Sequence, residues 1–218
     1  MEQQRRTIVK VCGLTRPEDA RAAVAAGADW LGFILWEGSP RNVAPERMRA
    51  MSEPLETAVA VAVMVAPTPD QALRAAGLAG AERVQLHRVD ATQWPADFPL
   101  PVTFAVPVAR DGSLGMPLPA LDHLVLLDTA HPRLPGGTGE RFPWETARVV
   151  AATRSVLLSG GLDAECVAEA IERVQPFGVD ACSRLESAPG IKDAEKMRRF
   201  VAAVRAWDGK HADRPGAR

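Results

Sequence analysis

The chain has 218 residues, with 26 Lys+Arg against 27 Asp+Glu and a formal net charge of -1. Hydrophobic residues make up 47% and charged residues 24%, which excludes disorder and fits a chain with an ordinary core. The neutral balance argues against nucleic acid as a partner, and no apolar run approaches the roughly 20 residues that span a bilayer.

Three cysteines (Cys12, Cys166, Cys182) are too few and too odd a count for a disulfide framework. The expectation is a cytoplasmic protein with one domain over residues 1–208 and a polar tail over 209–218.

Short apolar runs alternate with Ala- and Arg-rich amphipathic stretches. The predicted order begins with strand Thr7–Val11, helix Pro17–Ala26, strand Trp30–Leu35, helix Pro45–Met51, strand Ala58–Val65 and helix Pro69–Ala76. Three strands follow, Arg83–His87, Val102–Val106 and His123–Leu127, joined by proline-broken connections. The chain closes with helix Trp144–Ala152, strand Ser155–Leu158, helix Ala164–Val174, strand Gly178–Cys182 and helix Ala194–Trp207.

The strands are rich in β-branched residues and Leu without clean polar alternation, as strands buried on both faces of a parallel sheet are. Pro17 and Pro45 suit first helical positions, Asp163 is placed to cap the segment after it, and Gly27, Gly77 and Gly178 stand where helices should stop. Eight strands at about 27 residues each, with no Gly-x-Gly-x-x-Gly after the first, predict a closed (βα)8 TIM barrel rather than a doubly wound sheet.

In such barrels the reactive groups gather at the C-terminal ends of the strands. Ser159-Gly160-Gly161 joins the seventh strand to a predicted helix start. Backbone N–H groups there can hold an anion, or the glycines can simply make a tight turn. Cys182-Ser183-Arg184 ends the eighth strand close by, and the loops after strands seven and eight are the usual phosphate site.

Cys12 ends the first strand. A free cysteine is commonly a small core residue, and a reactive one needs a nearby cation to lower its pKa. Lys10 lies two positions earlier on the same face, about 7 Å along the strand. Pointing inward it needs a partner, and Asp180, on the strand that neighbours the first in a closed barrel, is the natural one. The pair is expected to orient the site and bias Cys12 toward thiolate.

Asp128 follows the buried-looking run Leu124–Leu127, as a cap or as an acid with a raised pKa. The loop Pro135-Gly136-Gly137-Thr138-Gly139 is placed to close over a ligand. Arg41 reads as a surface charge or as a bidentate carboxylate or phosphate holder. His87 could be a ligand, a base or a polar lining residue. The four histidines and three cysteines show no metal-ligand spacing, and Cys166 falls within a predicted helix as core.

These motifs, in order, resemble one family. Lys10-Val11-Cys12-Gly13-Leu14-Thr15, Gly27-Ala28-Asp29, Ser39-Pro40-Arg41, Val84-Gln85-Leu86-His87 and Leu126-Leu127-Asp128-Thr129 are followed by Gly136–Gly139, Leu158-Ser159-Gly160-Gly161-Leu162, Val179-Asp180 and Glu186–Asp193. Over the first 200 or so positions the chain resembles the phosphoribosylanthranilate isomerases.

The resemblance implies a barrel without a cofactor that converts N-(5-phosphoribosyl)anthranilate to an aminodeoxyribulose phosphate. It implies Cys12 as general base, Asp128 as general acid and Arg41 as holder of the anthranilate carboxylate. His87 joins the substrate-binding side. Gly160, Gly161, Cys182, Ser183 and Arg184 would hold the phosphate, with Lys10 and Asp180 in support. The expected partner is a small phosphosugar, and the expected state a monomer or homodimer.

Three positions depart from the family pattern. Arg88 follows His87 where the family has glycine, Phe104 stands where a lysine is common, and Cys182-Ser183-Arg184 replaces Ser-Ser-Gly. All three are expected at the ligand end of the barrel. They keep two alternatives open: a diverged paralogue isomerising another aminoglycosyl phosphate, and a barrel that binds a phosphosugar without turning it over.

Overall fold

The structure, a computed structural model, describes residues 6–55, 57–130 and 142–211. The glycine-rich loop over 135–139 and the tail from 212 lie outside the described residues. Eight parallel strands close into a barrel in simple chain order, β1 through β8. They are β1 (Ile8–Cys12), β2 (Trp30–Ile34), β3 (Val59–Val65), β4 (Arg83–His87), β5 (Val102–Val108), β6 (Leu124–Thr129), β7 (Val156–Leu158) and β8 (Gly178–Ala181). The closing seam pairs β1 with β8, Ile8 opposite Gly178 through Val11 opposite Ala181.

Among the described residues six helices pack outside: α1 (Pro17–Ala26), α2 (Pro45–Ser52), α3 (Pro69–Ala79), α4 (Trp144–Ala151), α5 (Val167–Val174) and α6 (Ala194–Lys210). A 3-10 turn, Ala91–Gln93, stands in the helix position after β4. A short hairpin, β9 (Glu186–Ala188) and β10 (Ile191–Lys192), lies between β8 and α6.

Helix starts follow local chemistry. Pro occupies the first turn of α1, α2 and α3, where a missing N–H costs nothing. Thr68 and Gln71 form a reciprocal capping box on α3, and the Asp193 carboxylate accepts the N–H groups of Glu195 and Lys196 at the start of α6.

Several boundaries differ from expectation. α3 runs through Gly77 and stops at Gly80, because Ala79 completes the face that Ala72 and Ala76 bury. Gly178 lies inside β8, where a Cβ would meet Ile8 O at 2.7 Å. It serves strand approach rather than helix termination. α5 begins only at Val167, since Asp163 turns the chain first, its side chain and carbonyl accepting the N–H groups of Cys166 and Val167. Cys166 therefore caps α5 instead of sitting within it, and α6 extends to Lys210.

Strand alternation divides the core in two. Val9, Val11, Leu31, Phe33, Val84 and Leu127 face the helices. The opposite row faces the barrel interior, with Trp30, Val61, Val63, Ala105, Leu126 and Leu157. Two of the inward rows pass from apolar to polar toward one end: Leu124 and Leu126 lead to Asp128, and Leu157 leads to Ser159. The period of 2 thus delivers reactive side chains to one rim of the barrel.

Candidate active site

Two buried ion pairs build the floor of that rim. Lys10 Nζ lies 2.7 Å from Asp180 Oδ1, and both side chains are buried. Ser159 Oγ donates to the other Asp180 oxygen at 3.1 Å, so the carboxylate has partners on both sides. Burial works against the Lys10 charge, but Asp180 and Cys12 outweigh it and hold the ammonium above its usual range.

The second pair is Arg41 with Glu186. Arg41 Nε and Nη2 donate to the two Glu186 oxygens at 2.8 and 2.7 Å, a bidentate fork in a buried setting. Lys192 Nζ donates to Glu186 Oε1 at 2.9 Å and to the Cys182 carbonyl at 3.0 Å. Burial opposes the Glu186 charge, yet the bonds from Arg41 and Lys192 leave its pKa lowered.

Cys12 and Cys182 stand between these pairs on one cavity, and the interaction between the two thiols is the largest influence on how each titrates. Gly13 makes the room: a Cβ there would lie 2.7 Å from Arg41 Cδ and 2.8 Å from Cys182 Sγ. The two thiols titrate together. The interaction with Cys12 draws Cys182 down to about 7 against burial, helped by the charges of Lys192 and Arg41. Cys12 is pushed well above the usual thiol range, first by that interaction and then by burial.

Lys10 does lower Cys12, but its effect is outweighed. Against the expected bias toward a Cys12 thiolate, the Cys12 thiol is held up rather than down.

Asp128 is the last inward residue of β6, inside the strand rather than after it, and its Oδ1 accepts the Thr129 N–H at 2.8 Å. Gln85 and His87, successive inward residues of β4, touch at 2.9 Å through Nε2 atoms. Cys12, Arg41, His87, Asp128, Asp180 and Cys182 all line one cavity of about 60 Å³. A larger one of about 1050 Å³ opens beside it and shares His87 and Asp128.

An adjoining cleft is lined by Gly160, Gly161, Ser183 and Arg184. Gly160 and Gly161 have φ of 91° and 65°, consecutive left-handed residues that only glycine adopts cheaply. The expected helix start beside them is absent because α5 begins at Val167. The backbone turn itself is what an anion would meet there. Among the described residues no group of three or more His, Cys, Asp or Glu could hold a metal ion.

The family model described as N-(5'phosphoribosyl)anthranilate (PRA) isomerase matches residues 9–203. A relative named N-(5'-phosphoribosyl)anthranilate isomerase from Rubrobacter xylanophilus is 44% identical, over 91% of this chain and 98% of its own. This chain belongs to the PRA isomerase family. The crystal structure of the Thermus thermophilus phosphoribosyl anthranilate isomerase is similar with a TM-score of 0.79 and 36% identity, covering 92% of this chain and 99% of that one. Another family structure, in complex with reduced 1-(o-carboxyphenylamino)-1-deoxyribulose 5-phosphate, has a TM-score of 0.76 at 30% identity over 92% and 99% of the two chains.

The departures from the PRA isomerase pattern are not equivalent. Phe104 is not at the ligand end. It packs on the helix-facing side of β5 among Trp94 and His123, while Ala105 takes the inward position. Arg184 is exposed in a 3-10 turn and is absent from the non-glycine residues with positive φ, so it carries no left-handed strain. Arg88 does, with φ 55°, and it lines the larger cavity.

Sequence reasoning assigned no role to Gln85, Glu186 or Lys192. A signal existed for the last two: Pro189-Gly190 is a turn dipeptide, and the hairpin it makes pairs Lys192 with Glu186 across β9 and β10.

Proposed function

We propose that this protein is an isomerase performing the Amadori rearrangement of N-(5-phosphoribosyl)anthranilate to 1-(2-carboxyphenylamino)-1-deoxyribulose 5-phosphate. One observation carries the reading: in a member of the PRA isomerase family, Cys12, Asp128 and Arg41 line a single cavity at the C-terminal rim of the barrel.

Asp128 protonates the furanose ring oxygen, and the C1–O bond breaks as the anilino nitrogen forms an iminium. The Cys12 sulfur then takes the C2 proton, giving an enolamine that tautomerises to the ketone. Cys12 becomes the base by passing its own proton to Cys182, so the charge of the pair moves to the sulfur facing C2. Arg41, with two donors fixed on Glu186, meets the anthranilate carboxylate through Nη1. The phosphate binds the turn at Gly160 and Gly161 with Ser183 and Arg184, and His87 borders the sugar.

A positioned acid or base contributes typically 10²–10⁴-fold. The test is fluorescence-monitored consumption of phosphoribosylanthranilate by the wild type, Cys12→Ser and Asp128→Ala. Turnover by the wild type with a loss of about 10²–10⁴-fold in both variants is expected. No turnover by a folded wild type overturns the assignment and turns attention to other aminoglycosyl phosphates. The same reading puts the enzyme in the cytoplasm as a monomer or homodimer. A Thermotoga maritima relative is described as dimeric.

A further inference from the structure

The two sulfurs stand where a covalent bond between them is possible. β1 and β8 pair in parallel with Lys10 opposite Asp180 and Val11 opposite Ala181. Cys12 ends β1 and Cys182 directly follows β8, so continuing that register sets the two residues side by side. Neighbouring strands lie about 4.8 Å apart, inside the range of roughly 4.4–6.8 Å that a disulfide accepts between Cα atoms. Both residues line the same small cavity.

Their surroundings favour reaction at one of them. Cys182 is partly exposed and Cys12 is buried. Lys192 Nζ lies 3.8 Å from Cys182 Sγ, and the Arg41 side chain packs on the other side across Gly13. Cations at that range stabilise a thiolate, the form that attacks peroxides. Cys166 belongs elsewhere: its sulfur contacts the carbonyls of Gly161 and Asp163 at the cap of α5.

We propose that Cys12 and Cys182 are a peroxide-responsive thiol pair, closed by a hydroperoxide into a disulfide that disables the site until a thiol reductant reopens it. The proposal rests on the isomerase reading for its effect on activity, though not for the chemistry. The Cys182 thiolate attacks the outer oxygen of the hydroperoxide, the O–O bond breaks, and Cys182 becomes a sulfenic acid as hydroxide or alkoxide leaves. The Cys12 sulfur, its proton passing to the departing oxygen, attacks Cys182 Sγ. The S–O bond breaks, water leaves, and the S–S bond forms. Two thiols are oxidised by two electrons and one hydroperoxide is reduced. The base is consumed, and Gly13 keeps the bond clear of the backbone.

Few groups compete for the sulfenic acid. Cys12 is its immediate neighbour, so closure precedes the irreversible further oxidation that exposed cysteines undergo. Thiol pairs of this kind stay reduced in a reducing compartment and close transiently under oxidant.

The test treats the purified full chain with stoichiometric hydrogen peroxide, alkylates remaining thiols, and maps the peptides by mass. The expected product is the Cys12 peptide joined to the Cys182 peptide, with Cys166 alkylated and a mass loss of two hydrogens. In the activity arm, wild type loses about 10²-fold or more, as removal of a positioned base requires, and regains it with dithiothreitol. Cys182→Ser and Cys182→Ala, each compared with its own untreated activity, form no cross-link and show no reductant-reversible loss.

Both Cys12 and Cys182 remaining alkylatable after peroxide, or Cys12 joined to Cys166, overturns the proposal. The cross-link is read without turnover. A protein that forms it yet does not consume phosphoribosylanthranilate refutes the isomerase reading and leaves the thiol pair standing.

Discussion

Lys10 and Asp180 face each other at 2.7 Å inside the barrel, contributed by its first and last strands. With Ser159 on the far side of the carboxylate, the pair is almost wholly shielded from bulk water. Removing one partner strands the other, a loss of about 3–5 kcal/mol, whereas removing both in apolar form is far less costly. Lys10→Met is therefore expected to destabilise strongly in urea, and Lys10→Met with Asp180→Leu to be more stable than the single variant. A double variant that simply adds the two single losses would refute this coupling.

With Cys12 as the proposed base, the shared proton of the two thiols is expected to set the acid limb of activity. One must be lost before Cys12 can act, and the pair loses its first with Cys182 at about 7. kcat/KM is expected to fall about tenfold per pH unit below that value. Cys182→Ser removes the group that titrates there, and burial then holds Cys12 above the usual thiol range, so the limb moves to higher pH. An unmoved limb in that variant would show that Cys182 takes no part in the titration.

Glu186 ties acid stability to the site. Its pKa is depressed in the folded protein by Arg41 and Lys192, against burial. A depressed carboxylate stabilises the fold at pH values above its unfolded pKa, and that contribution is lost as pH falls through the folded value. Glu186→Gln should thus flatten the fall in unfolding free energy below about pH 4.5. It should also raise KM by roughly tenfold, because the amide no longer fixes both donors of Arg41. An unchanged acid-unfolding curve would mean that the fork contributes no net stability.

Arg88 holds a left-handed backbone at φ 55°. A side chain with a Cβ pays about 1–2 kcal/mol there, while glycine adds back roughly 0.4–1 kcal/mol of unfolded-chain entropy. Arg88→Gly is expected to be neutral or stabilising by up to about 1.6 kcal/mol in urea unfolding. A loss of that size would reveal a folded-state contact for the guanidinium that outweighs the strain.

The barrel and its rim were legible because alternation and chain order encode them. Eight apolar runs, several of them ending in a polar or reactive residue, suffice to predict strands that deliver Cys12, His87, Asp128 and Asp180 to one end. The Lys10–Asp180 pair followed from closure alone. The interplay of Cys12 with Cys182 was not legible, because Cys182 lies just past β8, where the sequence reads as part of the phosphate-side loop. The direction Phe104 takes was hidden for a related reason. Shifting the inward register of β5 by one residue exchanges Phe104 for Ala105, and an apolar run with no alternation gives no phase.

The seam between β1 and β8 also fixes when the site can exist. Lys10 and Cys12 emerge first in synthesis, while Asp180 and Cys182 come near the end, so the proposed base and its support are assembled only by the last strand to join. A chain interrupted before β8 carries a buried lysine with no counter-charge, and completing the ring supplies it. Catalytic competence and ring closure are therefore a single event, and a circular permutant that opens the barrel elsewhere would separate their order without changing their contacts.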